Sequence, residues 1–199
     1  MAIYLLRHAE TDANASRVVQ VPSVPLSARG RAQAARLARR LREAGVAHVV
    51  SSDARRALET AESLRDAAGV PLTIDPDLAE RNYGDIRGTP YAALGVDIFA
   101  PDYEPPGGET WAGFYERVAT VWARMLALAA CTPGDLAVVT HGLVCEAVLQ
   151  RHLDGGYEPG FRRWTNTSVT VIDPPRTVCL LACDAHLDGL DAAAGAGAV

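Results

Sequence analysis

The sequence predicts an α/β fold, a three-layer α/β/α sandwich in which a mostly parallel sheet lies between two layers of helix. Two patterns carry this expectation. Short apolar runs alternate along the chain with longer segments whose apolar residues recur at helical spacing. Three of those runs end directly on polar clusters, Arg7-His8, Ser51-Ser52-Asp53 and Thr140-His141. In parallel sheets ligands bind beyond the carboxyl ends of the strands, so these clusters are expected along one sheet edge.

The elements follow in order. Residues 2–6 read as a buried strand that ends at Arg7-His8. Residues 27–44 carry Ala32, Ala35, Leu37 and Leu41 on one helical face, with Ser27 as N-cap and Gly45 as the stop. A strand over 46–50 leads into a second amphipathic helix over 53–68, ended by Gly69 and Pro71. After a short strand at 72–74, residues 75–110 are irregular and rich in Gly, Pro and aromatics. A long helix over 111–130 precedes a strand over 136–140, and His141-Gly142 opens a helix to about Leu153. Residues 168–173 and 177–182 form a hairpin across Pro174-Pro175-Arg176. Residues 1–186 are expected to make one domain, and 187–199 an Ala/Gly-rich disordered tail.

Composition narrows the function classes. The chain has 199 residues, 49% hydrophobic and 22% charged, with a formal net charge of −5. That charge leaves no broad basic face for nucleic acid or anionic lipid, so a bound anion must be held by a small local cluster of cations. All 19 basic residues are arginine, which excludes a Walker A phosphate loop and a Schiff-base lysine. No run approaches the ~20 apolar residues that span a bilayer. The first residues are too short an apolar run for a signal peptide, so the cytoplasm is the expected location. Cys131, Cys145, Cys179 and Cys183 are scattered in apolar surroundings. Cys179 and Cys183 with His186 would lack a fourth zinc ligand, and buried strand cysteines are the expectation.

Four segments carry chemistry. The first, Arg7-His8-Ala9-Glu10-Thr11-Asp12-Ala13-Asn14, resembles R-H-[GA]-x-T-x-x-N, the signature of the histidine phosphatase superfamily, which includes the cofactor-dependent phosphoglycerate mutases. Ser51-Ser52-Asp53-Ala54-Arg55-Arg56-Ala57-Leu58-Glu59-Thr60-Ala61 is similar to its S-S-D-x-x-R-A-x-x-T-A segment. Leu78-Ala79-Glu80 through Gly84 and Gly88 is similar to L-x-E-x-x-x-G-x-x-x-G, and Val138-Val139-Thr140-His141-Gly142 to V-[ST]-H-G. These matches fall in the family's order and imply a phosphoglycerate mutase-like fold.

A phosphate monoester carries close to two negative charges, and guanidiniums are permanently charged forks matched to its oxygens. Arg7 and Arg56 take that role by motif position. Arg55 is the rival for the second place, but a helix turns about 100° per residue and only one can point inward. The resemblance implies that His8 is the nucleophile, which it can be only through an unprotonated ring nitrogen. His141, at the start of a helix, is expected to donate to phosphoryl oxygens beside backbone N–H groups. Asn14 is either a pocket donor or a helix cap. The resemblance implies that Glu80 is the general acid. It also implies a substrate role for Gln20, although Val21-Pro22 stand where many members have Gly.

These residues lead to a phosphatase acting on a small-molecule phosphate monoester through a phosphohistidine, with no metal and no cofactor. The alternatives are a phosphoglycerate mutase and a non-catalytic phosphate- or phosphoprotein-binding module. Residues 88–116 contain no arginine but include Asp97, Asp102, Glu104, Glu109 and Glu116. This acidity disfavours a heavily anionic mutase substrate and favours a monophosphate with a less charged body. Tyr83, Tyr91, Phe99, Tyr103 and Trp111 either pack this lid or stack on a ring in the leaving group. Ile86-Arg87 replaces the family's frequent Trp-Glu. Self-association into a homo-oligomer is left open.

Overall fold

The computed structural model describes residues 1–154 and 164–190. Six strands form one sheet in the order β3-β2-β4-β1-β5-β6. They are β1 (Ile3–Arg7), β2 (Val46–Ser51), β3 (Leu72–Ile74), β4 (Asp135–Thr140), β5 (Val169–Asp173) and β6 (Thr177–Cys183). β1 through β4 pair in parallel, while β5 runs antiparallel to both β1 and β6. The α/β sandwich is therefore as expected, and the hairpin supplies its antiparallel edge.

Alternation within the central strands builds both faces. Ile3 and Leu5 of β1 and Leu136 and Val138 of β4 point into the core beneath α4 (Trp111–Cys131) and α5 (Gly142–His152). Leu6, Ala137 and Val139 face the opposite core, closed by α2 (Ala28–Leu41) and α3 (Arg55–Ala68). Strands buried on both faces read as continuous apolar runs.

The helix boundaries have local causes. Ser27 accepts from Gly30 N–H and caps α2, which stops at Leu41 rather than 44. α3 begins at Arg55, two residues later than expected, because the Ser52 hydroxyl takes the Ala54 N–H and holds the strand's exit as a turn. Gly69 ends α3 with φ +68, a left-handed conformation that glycine adopts without strain. A single-turn helix α1 (Asp12–Ala15) was not anticipated; it is too short for a periodic pattern and rests on a Thr11/Asn14 capping box.

Two expectations change. Residues 187–190, assigned to the tail, are turns held against α2: Arg36 Nη1 donates to the carbonyls of His186 and Asp188, and Leu190 N–H to Leu187. Residues 191–199 lie outside the described residues. Of the cysteines only Cys145 is buried, since Cys179 and Cys183 sit on an edge strand with partly exposed faces and Cys131 is exposed at the end of α4. Cys183 Sγ and His186 Nδ1 both face the Arg40 guanidinium.

Candidate active site

The carboxyl ends of β1 and β4 are adjacent, with Arg7 paired to Thr140 in register. The chain turns after each strand, so Arg7-His8 and His141 come together at the sheet edge. Arg56 reaches them from the first turn of α3. The four side chains are nearly inaccessible, at 5%, 2%, 4% and 0% exposure for Arg7, His8, Arg56 and His141. Arg7, His8 and Arg56 line a cavity of about 400 Å³, a size suited to a small-molecule ligand, and His141 lies behind Arg56, between it and Ser52.

The hydrogen bonds fix which ring nitrogen of His8 is free. Nδ1 lies 2.7 Å from the Ala9 carbonyl oxygen, which can only accept, so Nδ1 carries the proton and Nε2 keeps its lone pair. Arg56 Nε–H donates to that lone pair over 3.3 Å. Burial, then the charges of Arg56 and Arg7, depress the His8 pKa well below 6.5. The ring is thus held neutral in the tautomer that a nucleophile requires. Thr60 fixes the next backbone unit by accepting from Ala9 N–H.

Arg56 also donates to the Val21 carbonyl and, through Nη2, contacts His141 Nδ1 at 3.2 Å. Burial pushes its pKa down to about 10. Arg55 turns outward and pairs with Glu59 in an exposed i,i+4 bridge, so Arg56 is the inward residue. Arg7 donates through Nη1 to the Trp164 carbonyl, while its Nε is buried without a hydrogen-bond partner among the described residues. A buried guanidinium N–H left unpaired is costly unless a ligand takes it.

The partners of His141 set its tautomer in this structure. Because a guanidinium only donates, His141 Nδ1 accepts from Arg56, and Nε2–H then donates to Ser52 Oγ at 2.9 Å. Donation to a phosphoryl oxygen requires the other tautomer, which the Ser52 hydroxyl can support by donating in turn. One N–H at the α5 amino terminus is taken by a carboxylate. The Leu143 N–H donates to Glu80 Oε2, and Arg81 N–H to Glu80 Oε1.

Those two bonds place the Glu80 carboxyl beside the arginine pocket. Thr140 Oγ1 donates to the Leu78 carbonyl and ties this loop to β4. Burial raises the Glu80 pKa against the opposing pull of the backbone donors and of Arg56 and Arg7. Gly142 separates Glu80 from Arg7: a Cβ there would lie 3.7 Å from Arg7 Nε and 4.0 Å from Glu80 Oε2.

Asn14 completes the α1 capping box and also lines the cavity. Its Oδ1 accepts from Thr11 N–H and from Asn166 Nδ2. Gln20 also lines the cavity, with Oε1 2.8 Å from the Thr11 hydroxyl.

The lid acts differently from the reading of its charges. Asp97, Asp102, Glu104, Glu109 and Glu116 are all absent from the cavity wall, whose carboxylates are Asp53, Glu80 and Glu146. Glu109 instead pairs with Arg117. The lid acids thus give no basis for repulsion of an anionic body in the cavity. Tyr83, Tyr91 and Phe99 line the cavity, whereas Tyr103 and Trp111 do not. Arg81, 2% exposed, fastens the lid by donating to the carbonyls of Glu109, Ile98 and Tyr103, its guanidinium 3.9 Å from the Trp111 ring centre. Sequence reasoning missed Arg81, Ser52, Thr60 and Asn166. Ser52 and Thr60 stand at fixed letters of a recognised motif, but Asn166 carries no local signal.

The sheet order and this histidine–arginine pocket define a histidine phosphatase fold. Residues 3–182 match the model of the histidine phosphatase superfamily (branch 1), and the chain belongs to that family. A Proteus mirabilis relative described as a probable phosphoglycerate mutase GpmB is 31% identical over 184 residues, covering 87% of this chain and 85% of that protein. A relative of the same description from Escherichia fergusonii is 44% identical over 85 residues, so the match spans only 42% of this chain and 40% of that protein. Among solved structures, a mycobacterial glucosyl-3-phosphoglycerate phosphatase in complex with VO3 is similar at a TM-score of 0.74 and 28% identity, covering 86% of this chain and 90% of that one.

Proposed function

We propose that this protein is a phosphatase that hydrolyses a small-molecule phosphate monoester through a phosphohistidine on His8. The observation that carries the reading is the His8 ring itself, neutral, with Nδ1–H on the Ala9 carbonyl and Nε2 aimed into the arginine pocket. In the first step the Nε2 lone pair attacks phosphorus in line and the ester P–O bond breaks. The Glu80 carboxyl proton passes to the leaving oxygen. In the second step water attacks phosphorus, Glu80 carboxylate takes its proton, the P–N bond breaks and His8 returns neutral. Arg7, Arg56 and His141 hold the phosphoryl oxygens, and Asn14 and Gln20 offer amide donors at the cavity wall.

The similarity to a phosphatase of known structure supports hydrolysis. The relatives described as probable mutases make transfer to a second alcohol the reading to test against it. Residues 1–186 act as one domain in this proposal. Its setting is the cytoplasm, where phosphorylated metabolites are retained by their charge. Incubation with a labelled monoester and an alkaline quench should trap an acid-labile phosphoenzyme, followed by release of free phosphate. Label on serine, or label surviving in His8→Ala, overturns the proposal.

A further inference from the structure

We propose that Arg87 is a specificity-determining residue that selects phosphate monoesters whose leaving group carries a second anionic group, a carboxylate or a phosphate. This rests on the phosphatase reading of the same site.

The division of labour in the cavity leads to Arg87. The phosphoryl group belongs to Arg7, His8, Arg56 and His141, and the ester oxygen belongs to Glu80. The leaving group must then extend along the remaining wall, which Tyr83, Arg87, Tyr91 and Phe99 contribute from the loop that carries Glu80. Of the arginines lining the cavity, Arg7 binds the Trp164 carbonyl, Arg56 has three partners and Arg81 holds three lid carbonyls. Arg87, half-buried, makes neither an ion pair nor a side-chain hydrogen bond among the described residues. With Arg7 and Arg56 assigned to the phosphoryl group, it is the cavity cation that remains for the leaving group.

Its backbone is also fixed in place. Gly88 N–H donates to the Val19 carbonyl at 2.7 Å, Val19 N–H to Thr89 at 3.0 Å, and Tyr91 N–H to Arg17 at 2.9 Å. This loop-to-loop ladder holds the residue against the 17–19 segment rather than letting it swing into solvent. The lid carboxylates Asp97, Asp102, Glu104, Glu109 and Glu116 lie off the cavity wall, and the three carboxylates on it, Asp53, Glu80 and Glu146, make no ion pair with Arg87 among the described residues. A planar guanidinium on a preorganised wall matches carboxylate and phosphate alike.

The test compares 3-phosphoglycerate with glycerol 3-phosphate, which replaces the carboxylate by a neutral alcohol. The wild type should prefer the carboxylate ester in kcat/KM, and Arg87→Gln should lower that preference by about 10- to 100-fold, mostly through KM. Arg87→Lys should restore part of it, because charge returns without the fork. Equilibrium binding of both esters to His8→Ala, with and without Arg87→Gln, gives the same comparison without turnover. No preference in the wild type, or a preference unchanged in Arg87→Gln, overturns the inference. Arg87-dependent binding without any phosphoenzyme would sink the phosphatase reading and leave this one standing. Equal hydrolysis of both esters by wild type and variant does the reverse. Inorganic phosphate and 2,3-bisphosphoglycerate, run as competitors, distinguish a carboxylate from a phosphate as the group selected.

Discussion

Arg56 donates its Nε–H to Nε2 of His8 at 3.3 Å, so the cation that would bind phosphate also guards the lone pair that would attack it. An incoming phosphoryl oxygen can take that N–H and release the lone pair in the same movement. The contact also works against protonation of Nε2, because the nearest charge is already positive.

This pairing makes a first prediction. Arg56→Lys keeps the charge but cannot serve His8, His141 and the Val21 carbonyl from one planar group. Phosphoenzyme formation should fall by about 100-fold or more, corresponding to about 3 kcal/mol of transition-state stabilisation. Rapid-quench measurement of the labelled enzyme checks this, with circular dichroism to confirm folding. Arg55→Lys, on the exposed bridge to Glu59, should change the rate little.

A second prediction concerns pH. His8 must be neutral to attack, and its pKa is depressed by burial and by Arg56 and Arg7. The acid limb of kcat/KM should therefore lie well below pH 6.5. Glu80 must be protonated to act as acid, and burial raises its pKa above the ordinary 4.5. Its ionisation should set an alkaline limb that disappears in Glu80→Gln on the same substrate. Stability carries the same signature for the histidines. Above pH 6.5 both states leave them neutral, but below it the unfolded chain binds protons that folded His8 and His141 refuse. Stability should fall as pH drops through 6.5, and less steeply in His8→Gln, measured by denaturant titration.

Much of this was legible in the sequence because the strands are apolar on both faces and the catalytic residues sit directly at their ends. Arg7, His8 and His141 could be placed from that pattern alone, and the hairpin from its flanking runs. Glu80 lies in an irregular loop, where only the family frame singled it out from Asp75, Asp77 and Asp85. Its bonds to Leu143 and Arg81 N–H join segments distant in sequence. The lid was misread for a related reason. Counting charges over 88–116 gives their sign but not their direction, and direction is set by Arg81 and Arg117, which bind carbonyls and Glu109 from outside that window.

The role of Glu80 gives a third prediction. Glu80→Gln retains an acceptor for the Leu143 N–H but loses the transferable proton. Phosphorylation by alkyl phosphates should slow by roughly 10²–10⁴-fold. An aryl phosphate, whose leaving oxygen needs little protonation, should be slowed much less in the same step. Pre-steady-state rates on both esters provide the measurement, and equal losses would reduce Glu80 to a positioning residue.

The fourth prediction is that hydrolysis proceeds without a divalent cation and is blocked by vanadate. In many phosphoryl-transfer enzymes Mg²⁺ meets the charge on the equatorial oxygens. Here two buried guanidiniums and a histidine converge where those oxygens would sit, and Arg7 Nε is a buried donor with no protein partner among the described residues. Two permanent positive charges match a phosphate dianion, so a further Mg²⁺ would meet like-charge repulsion inside a low-dielectric pocket. Incubation with a chelator should leave kcat/KM unchanged, and added Mg²⁺ or Zn²⁺ should not raise it. Vanadate mimics the five-coordinate geometry of the transition state and would occupy the pocket beside His8 Nε2. It should inhibit competitively with phosphate esters and raise the melting temperature, and both effects should weaken sharply in His8→Ala and Arg56→Lys. Activity lost to chelator and restored by a metal would show that Arg7, Arg56 and His141 do not neutralise the phosphoryl group by themselves.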